Sequence, residues 1–161
     1  MGSMGRSFDN RADIIGVLVF MMAGFFSILV HEMGHALTGR HFGARDTEVV
    51  LHGMGGVAIF PHARFTRPQS FLTTFAGPGI QLVLGVIAFL LYRKFGYVEG
   101  LGLFLWSLYV VSIFWALLNC VPVWPMDGGQ MLHAILGERK VALTHQIGMI
   151  AGIIFAILGF K

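Results

Sequence analysis

Four stretches of the chain, residues 14–39, 71–92, 101–121 and 141–160, are almost wholly apolar. A helix that crosses the hydrocarbon core of a bilayer needs about 20 such residues. Inside lipid a backbone must satisfy its own hydrogen bonds, so spans of this kind are helices. The pattern therefore predicts a polytopic α-helical membrane protein with about four transmembrane helices, forming a single domain over residues 1–161. Only 12% of residues are charged, against about 25% in a soluble domain. The fourth stretch is the weakest, because Thr144, His145 and Gln146 fall in its first turns. Gly148 and Gly152 within it form a small-xxx-small pair, a helix-packing face.

Charge and cysteine usage exclude other classes. The net charge of +3 is scattered over loops and makes no basic run or helix face. Nucleic acid is therefore not an expected partner, whereas the lipid bilayer is. Apolar outer faces permit assembly into an oligomer. A lone Cys120 forms no internal disulfide and is read as a packing residue. Residues 1–7 are small and polar, and no small-residue cleavage site follows the first apolar run, so a secretory leader is not expected.

Between the first two spans, residues 47–61 place two β-prone runs around a Gly-rich turn, which predicts a hairpin. An apolar hairpin beside membrane helices either packs against protein or lines a cavity.

The first span ends on His31-Glu32-Met33-Gly34-His35. Residues four apart share a helix face, so His31 and His35 can grip one metal ion, and Glu32 can take a proton from a water that the metal activates. This is the working pattern of a zinc peptidase with one Zn2+ per chain. A catalytic zinc usually takes three protein ligands. Asp9, Asp13 and Glu99 fall on the other side of the predicted topology, and Asp46, Glu48 and Glu138 lie in polar loops. Asp127 is left, just after the third span, where a carboxylate is costly without a role. Spans one and three run in the same direction, so both loaded ends meet on one side. Pro122 and Pro125 stop the third helix before Asp127, and Gly128 and Gly129 free the backbone after it. Asn119 is either a substrate or oxyanion contact or a helix-end or interhelical hydrogen bond. His41, His52, His62, His133 and His145 are read as surface or packing residues; the hairpin could bring His52 beside the metal.

Together these features resemble the site-2 protease family, peptidase family M50. The histidine motif is similar to that of its first core helix. The hairpin with Gly55 and Gly56 is similar to its membrane-associated hairpin. Ala76-Gly77-Pro78 resembles the Gly-Pro turn of its middle core helix, and Asn119-x-x-Pro122-x-x-Pro125-x-Asp127-Gly128 resembles its Asn/Pro/Asp-Gly signature. Gln81 stands where members often carry Asn, keeping the amide but reaching one carbon further. The short link 93–100 has no room for the PDZ domain that some members insert there.

The resemblance implies zinc on His31, His35 and Asp127, and Glu32 as general base and later general acid. It also implies substrate or oxyanion contacts at Asn119, Gly55, Gly56 and Gln81. The implied substrate is a transmembrane helix of a membrane-tethered protein, as in regulated intramembrane proteolysis. The implied location is a prokaryotic cell membrane with the active site toward the cytoplasm. Six Lys and Arg fall on that side and five on the other, so the positive-inside rule adds little. One rival is a homologue that binds transmembrane helices without cutting them. The other is a structural or transport protein with an incidental metal site.

Overall fold

The computed structural model describes residues 11–159 apart from 53 and 54. Expectations for the leader and for the side chain of His52 lie outside the described residues and side chains.

Three helices form the body: α1, Arg11–His41; α2, Arg67–Phe95; and α3, Leu101–Asn119. Between α1 and α2 lies the antiparallel hairpin of β1, Glu48–His52, and β2, Gly55–Ile59, with Val50 opposite Val57. Helix α4, Asp127–Leu136, follows α3, and a 3-10 turn, Glu138–Lys140, leads into α5, Val141–Gly159. At 1.5 Å per residue, α1 is about 46 Å long, well over the roughly 30 Å of hydrocarbon it would cross.

Among the described residues, three helices are long and apolar enough to cross a membrane: Asp13–His41, Arg67–Phe95 and Leu101–Asn119. Helix α5 forms where the fourth span is expected, but it packs against α4 and the 3-10 turn. Its Gly148 faces the Pro122 carbonyl, where a Cβ would stand 3.0 Å away, and Gly152 lies over Val123. The small-residue face of α5 thus meets the α3–α4 link instead of a second long helix.

The distribution of side chains is inverted relative to a protein in water. Phe20, Met21, Met22 and Phe25 on α1, Leu90 on α2 and Phe114 on α3 are exposed. The interior holds Ala23, Ala88 and Leu108 together with buried Ser27, Gln81 and Ser112. Small and polar residues at the interface let helices approach closely and bond in lipid, while the large apolar groups face outward.

Local chemistry sets the element ends. Gln69 Oε1 accepts the Thr66 backbone N–H at 2.9 Å, closing the first turn of α2, and Pro68 suits that turn. Gly77 and Pro78 do not break this helix, which runs through them to Phe95. Buried helix neighbours tolerate the hydrogen bond that Pro78 removes. Pro122 and Pro125 do end α3, as the sequence requires.

Gly128 and Gly129 behave differently from expectation: they form the first turn of α4. A Cβ on Gly128 would strike the carbonyl oxygens of Cys120 and Val121, and one on Gly129 would reach within 2.8 Å of the Trp124 nitrogen. Their function is close approach of α4 to the preceding link, which carries Asp127 back toward α1.

Candidate metal centre

His31 and His35 lie one turn apart on α1, and Asp127 is the first residue of α4. All three are buried. His31 Nε2 stands 3.1 Å from His35 Nε2 and 3.0 Å from Asp127 Oδ2; His35 Nε2 is 3.4 Å from the same oxygen. Among the described residues, this is the group of His, Cys, Asp or Glu placed to hold a metal ion.

The hydrogen bonds behind the rings show what the three atoms offer. His35 Nδ1 is 2.8 Å from the Thr73 carbonyl, so this nitrogen donates. His31 Nδ1 is 2.9 Å from Gln81 Oε1 and donates likewise. A neutral imidazole that donates through Nδ1 presents a bare lone pair at Nε2. Asp127 Oδ2 is buried and has no hydrogen-bond partner of acceptable geometry. Three electron-pair donors therefore converge with no proton between them, an arrangement that repels unless a cation sits among them. Tetrahedral zinc with bonds of about 2.0–2.1 Å separates its donors by about 3.3–3.4 Å, close to the separations here. The residues fit zinc in donor type, spacing and support.

Glycines make room for this machinery. A Cβ on Gly77 of α2 would overlap the His35 imidazole. A Cβ on Gly56 of β2 would lie 2.5 Å from Glu32 Cγ. Glu32 is itself buried and lies beside the backbone of Ala58.

A cavity of about 640 Å³ opens on the centre. Its walls are His31, Glu32 and His35 from α1, Gly55 to Ala58 from β2, and Thr73 and Thr74 from α2. Trp115, Leu118 and Asn119 at the end of α3, with Phe60, Pro125, Met126, Asp127 and Gln130, complete it. Asn119 donates its amide to the Trp115 carbonyl at 3.0 Å, a helix-end bond, and also faces the cavity. Gly55 and Gly56 stand in the wall where a bound segment would pass. Gln81 does not. It is fully buried, with its amide engaged by His31 and Ser27, so a substrate contact is replaced by one to the back of a ligand.

Sequence reading missed Thr73, the close approach of Gly77 to His35 and this use of Gln81. The signal was present: residues 73, 77 and 81 are spaced by four and line one face of α2, small or polar in an apolar span.

Comparison with known proteins agrees with this geometry. Residues 95–159 match the pattern of peptidase family M50. A zinc metalloprotease of Methanocaldococcus jannaschii is 25% identical over 97% of this chain and 46% of its own length. Stage IV sporulation protein FB of Bacillus subtilis is 27% identical over 81% of this chain and 45% of its own. A putative zinc metalloprotease of Mycobacterium tuberculosis is 33% identical over 70% of this chain and 30% of its own. The chain thus spans less than half the length of these curated relatives. The solved site-2 protease of Methanocaldococcus jannaschii superposes with a TM-score of 0.68 at 26% identity, over 89% of this chain and 69% of that one. With the histidine motif, the hairpin and the Asp-Gly turn assembled around one cavity, the chain is similar in sequence and fold to the zinc metalloproteases of peptidase family M50 and to a solved site-2 protease.

Proposed function

We propose that this chain is a zinc-dependent intramembrane endopeptidase that hydrolyses a peptide bond in a transmembrane helix of a membrane-tethered protein. The observation that carries the reading is the convergence of three bare donor atoms beside a buried carboxylate, in a cavity at the end of apolar helices. His31, His35 and Asp127 hold the zinc, one ion per chain. When bound, zinc polarises the scissile carbonyl and acidifies a water.

Glu32 takes the proton from the attacking water and returns it to the amine as the C–N bond breaks. Its fixed position under β2 spares the carboxylate a search for geometry. The substrate must enter extended, because a helix hides its carbonyls. Strand β2 pairs with β1 along one edge, and its Gly55 to Ala58 backbone borders the cavity. An unwound segment would add beside it by backbone hydrogen bonding. Asn119 contributes its carbonyl oxygen or a swung amide to that segment.

In this reading α5 is a fourth span, and the cavity opens toward the cytoplasm of a prokaryotic cell. The archaeal and bacterial sources of the relatives support that setting.

The test uses vesicles containing the full chain and a panel of single-span reporters. Wild type should release the soluble reporter domain. Glu32→Gln should keep its zinc and lose at least about 100-fold in rate, the usual contribution of a general base. Equal release by both proteins would contradict the mechanism. Zinc-loaded wild type that binds reporters and releases none would favour the helix-binding reading.

A further inference from the structure

The two histidine ligands are held in different ways. His35 is oriented by the backbone carbonyl of Thr73, which no side-chain substitution removes. His31 depends on a side chain, Gln81 Oε1. Gln81 in turn donates through Nε2 to Ser27 Oγ at 2.8 Å and toward the Ser27 carbonyl at 3.4 Å. Ser27 Oγ lies 2.8 Å from Ser112 Oγ. Ser27, Gln81 and Ser112 are all fully buried, one on each of α1, α2 and α3.

The direction of this chain matters. An amide side chain can present either its oxygen or its NH2 group to His31. Rotated by a half-turn, Gln81 would point NH2 at Nδ1, move the imidazole proton to Nε2 and block the lone pair that the metal needs. The Ser27 carbonyl can only accept, so it disfavours the amide oxygen on its side. The Ser27 hydroxyl accepts from Gln81 and shares a second hydrogen bond with Ser112. The polarity runs from His31 Nδ1–H through the Gln81 amide to Ser27, and Ser112 holds the Ser27 hydroxyl in place.

We propose that Gln81 is the positioning residue of the metal centre: it fixes the tautomer and orientation of His31, and Ser27 with Ser112 fixes the sense of its amide. This deepens the zinc reading above and rests on it. Because Ser112 belongs to α3, the chain also ties the histidine ligand to the helix whose far end leads to Asp127. The three bundle helices are thereby registered to one another by the same bonds that prepare the ligand.

The test is the zinc dissociation constant of the detergent-purified full chain, by competition with a chromophoric chelator, together with the 15N shifts of selectively labelled histidine. Gln81→Met, similar in length and without the acceptor, should weaken zinc by about 10- to 100-fold, the usual cost of losing such a partner. It should also give His31 a mixed tautomer signal. Gln81→Glu keeps an oxygen for Nδ1–H and should retain most of the affinity. Wild-type affinity and a single His31 tautomer in Gln81→Met would overturn the proposal, as would equal losses in Gln81→Met and Gln81→Glu. If Gln81→Met does not fold, Ser27→Ala is read in its place: weakened zinc and a mixed tautomer support the proposal, and unchanged values overturn it. His35→Ala serves as the control. Zinc bound equally by wild type and His35→Ala would overturn the metal reading itself, and this inference with it.

Discussion

Two glycines divide the work of the site between them, and each gives a separable prediction. Gly77 lies against the His35 ring and Gly56 against the Glu32 side chain. Gly77→Ala drives a methyl into a metal ligand, so zinc affinity should fall by at least about tenfold, comparable to losing a ligand's supporting contact. Gly56→Ala pushes on the base and on Leu51, and on no metal ligand. It should leave zinc stoichiometry near wild type while slowing reporter cleavage by about 100-fold or more, the scale of a displaced general base. Chelator competition and reporter release read the two effects separately. The reverse assignment, zinc loss in Gly56→Ala with normal binding in Gly77→Ala, would contradict the packing described here. At this scale the sequence singled out His31, Glu32, His35 and Asp127, which the fold brings to one cavity, because their chemistry has few other uses at the end of an apolar helix. It was not legible for Thr73, whose backbone carbonyl does the binding, since a carbonyl leaves no mark on residue type.

Each of the three bundle helices carries a buried stripe at spacings of three and four, small or polar on α1 and α2 and mixed with leucine on α3. On α1 it is Ala23, Ser27, His31 and His35; on α2 it is Thr73, Gly77, Gln81 and Gly85; on α3 it is Leu105, Leu108, Ser112 and Ala116. These stripes face one another, and lipid-facing Phe, Met, Ile and Leu fill the remaining surface. Periodicity therefore holds both the bundle and the helix faces that carry the site. Helix α4 was less legible, because Asp-Gly-Gly is a poor helix start by propensity and is imposed by packing on the preceding link. Helix α5 buttresses that link through Gly148. Gly148→Leu should press on Pro122, displace the segment that sets Asp127 and weaken zinc with helical content retained. Gly152→Ala, whose Cβ would meet Val123 at an ordinary 3.8 Å, should be close to neutral. Circular dichroism and zinc competition on the pair check this, and equal effects from both would mean that α5 does not support the site.

Over the whole molecule, the proposed metal would tie together elements far apart in sequence. His31 and His35 come from α1, Asp127 from α4, and their supports Thr73 and Gln81 from α2. Binding to the folded state alone stabilises by mass action, by about 2.7 kcal/mol at a zinc concentration 100 times the dissociation constant. Thermal unfolding in detergent should therefore move upward with added zinc and downward with chelator. Asp127→Ala should abolish that dependence. Acidification should release zinc, because imidazole and carboxylate ligands must be deprotonated to bind. The overall topology was read correctly for the first three helices and the hairpin, since apolar length and turn residues define them. The neighbour of α5 was not legible, because twenty apolar residues specify a helix and not what it packs on.

The central claim is that His31, His35 and Asp127 form one zinc centre. Its most direct test is the metal content of the detergent-purified chain, measured for wild type beside His31→Ala and Asp127→Ala. The account predicts about one zinc per wild-type chain and near-complete loss in both variants, since a catalytic zinc site has only three protein ligands to lose. Zinc retained after Asp127→Ala, or absent from wild type supplied with zinc, would contradict it.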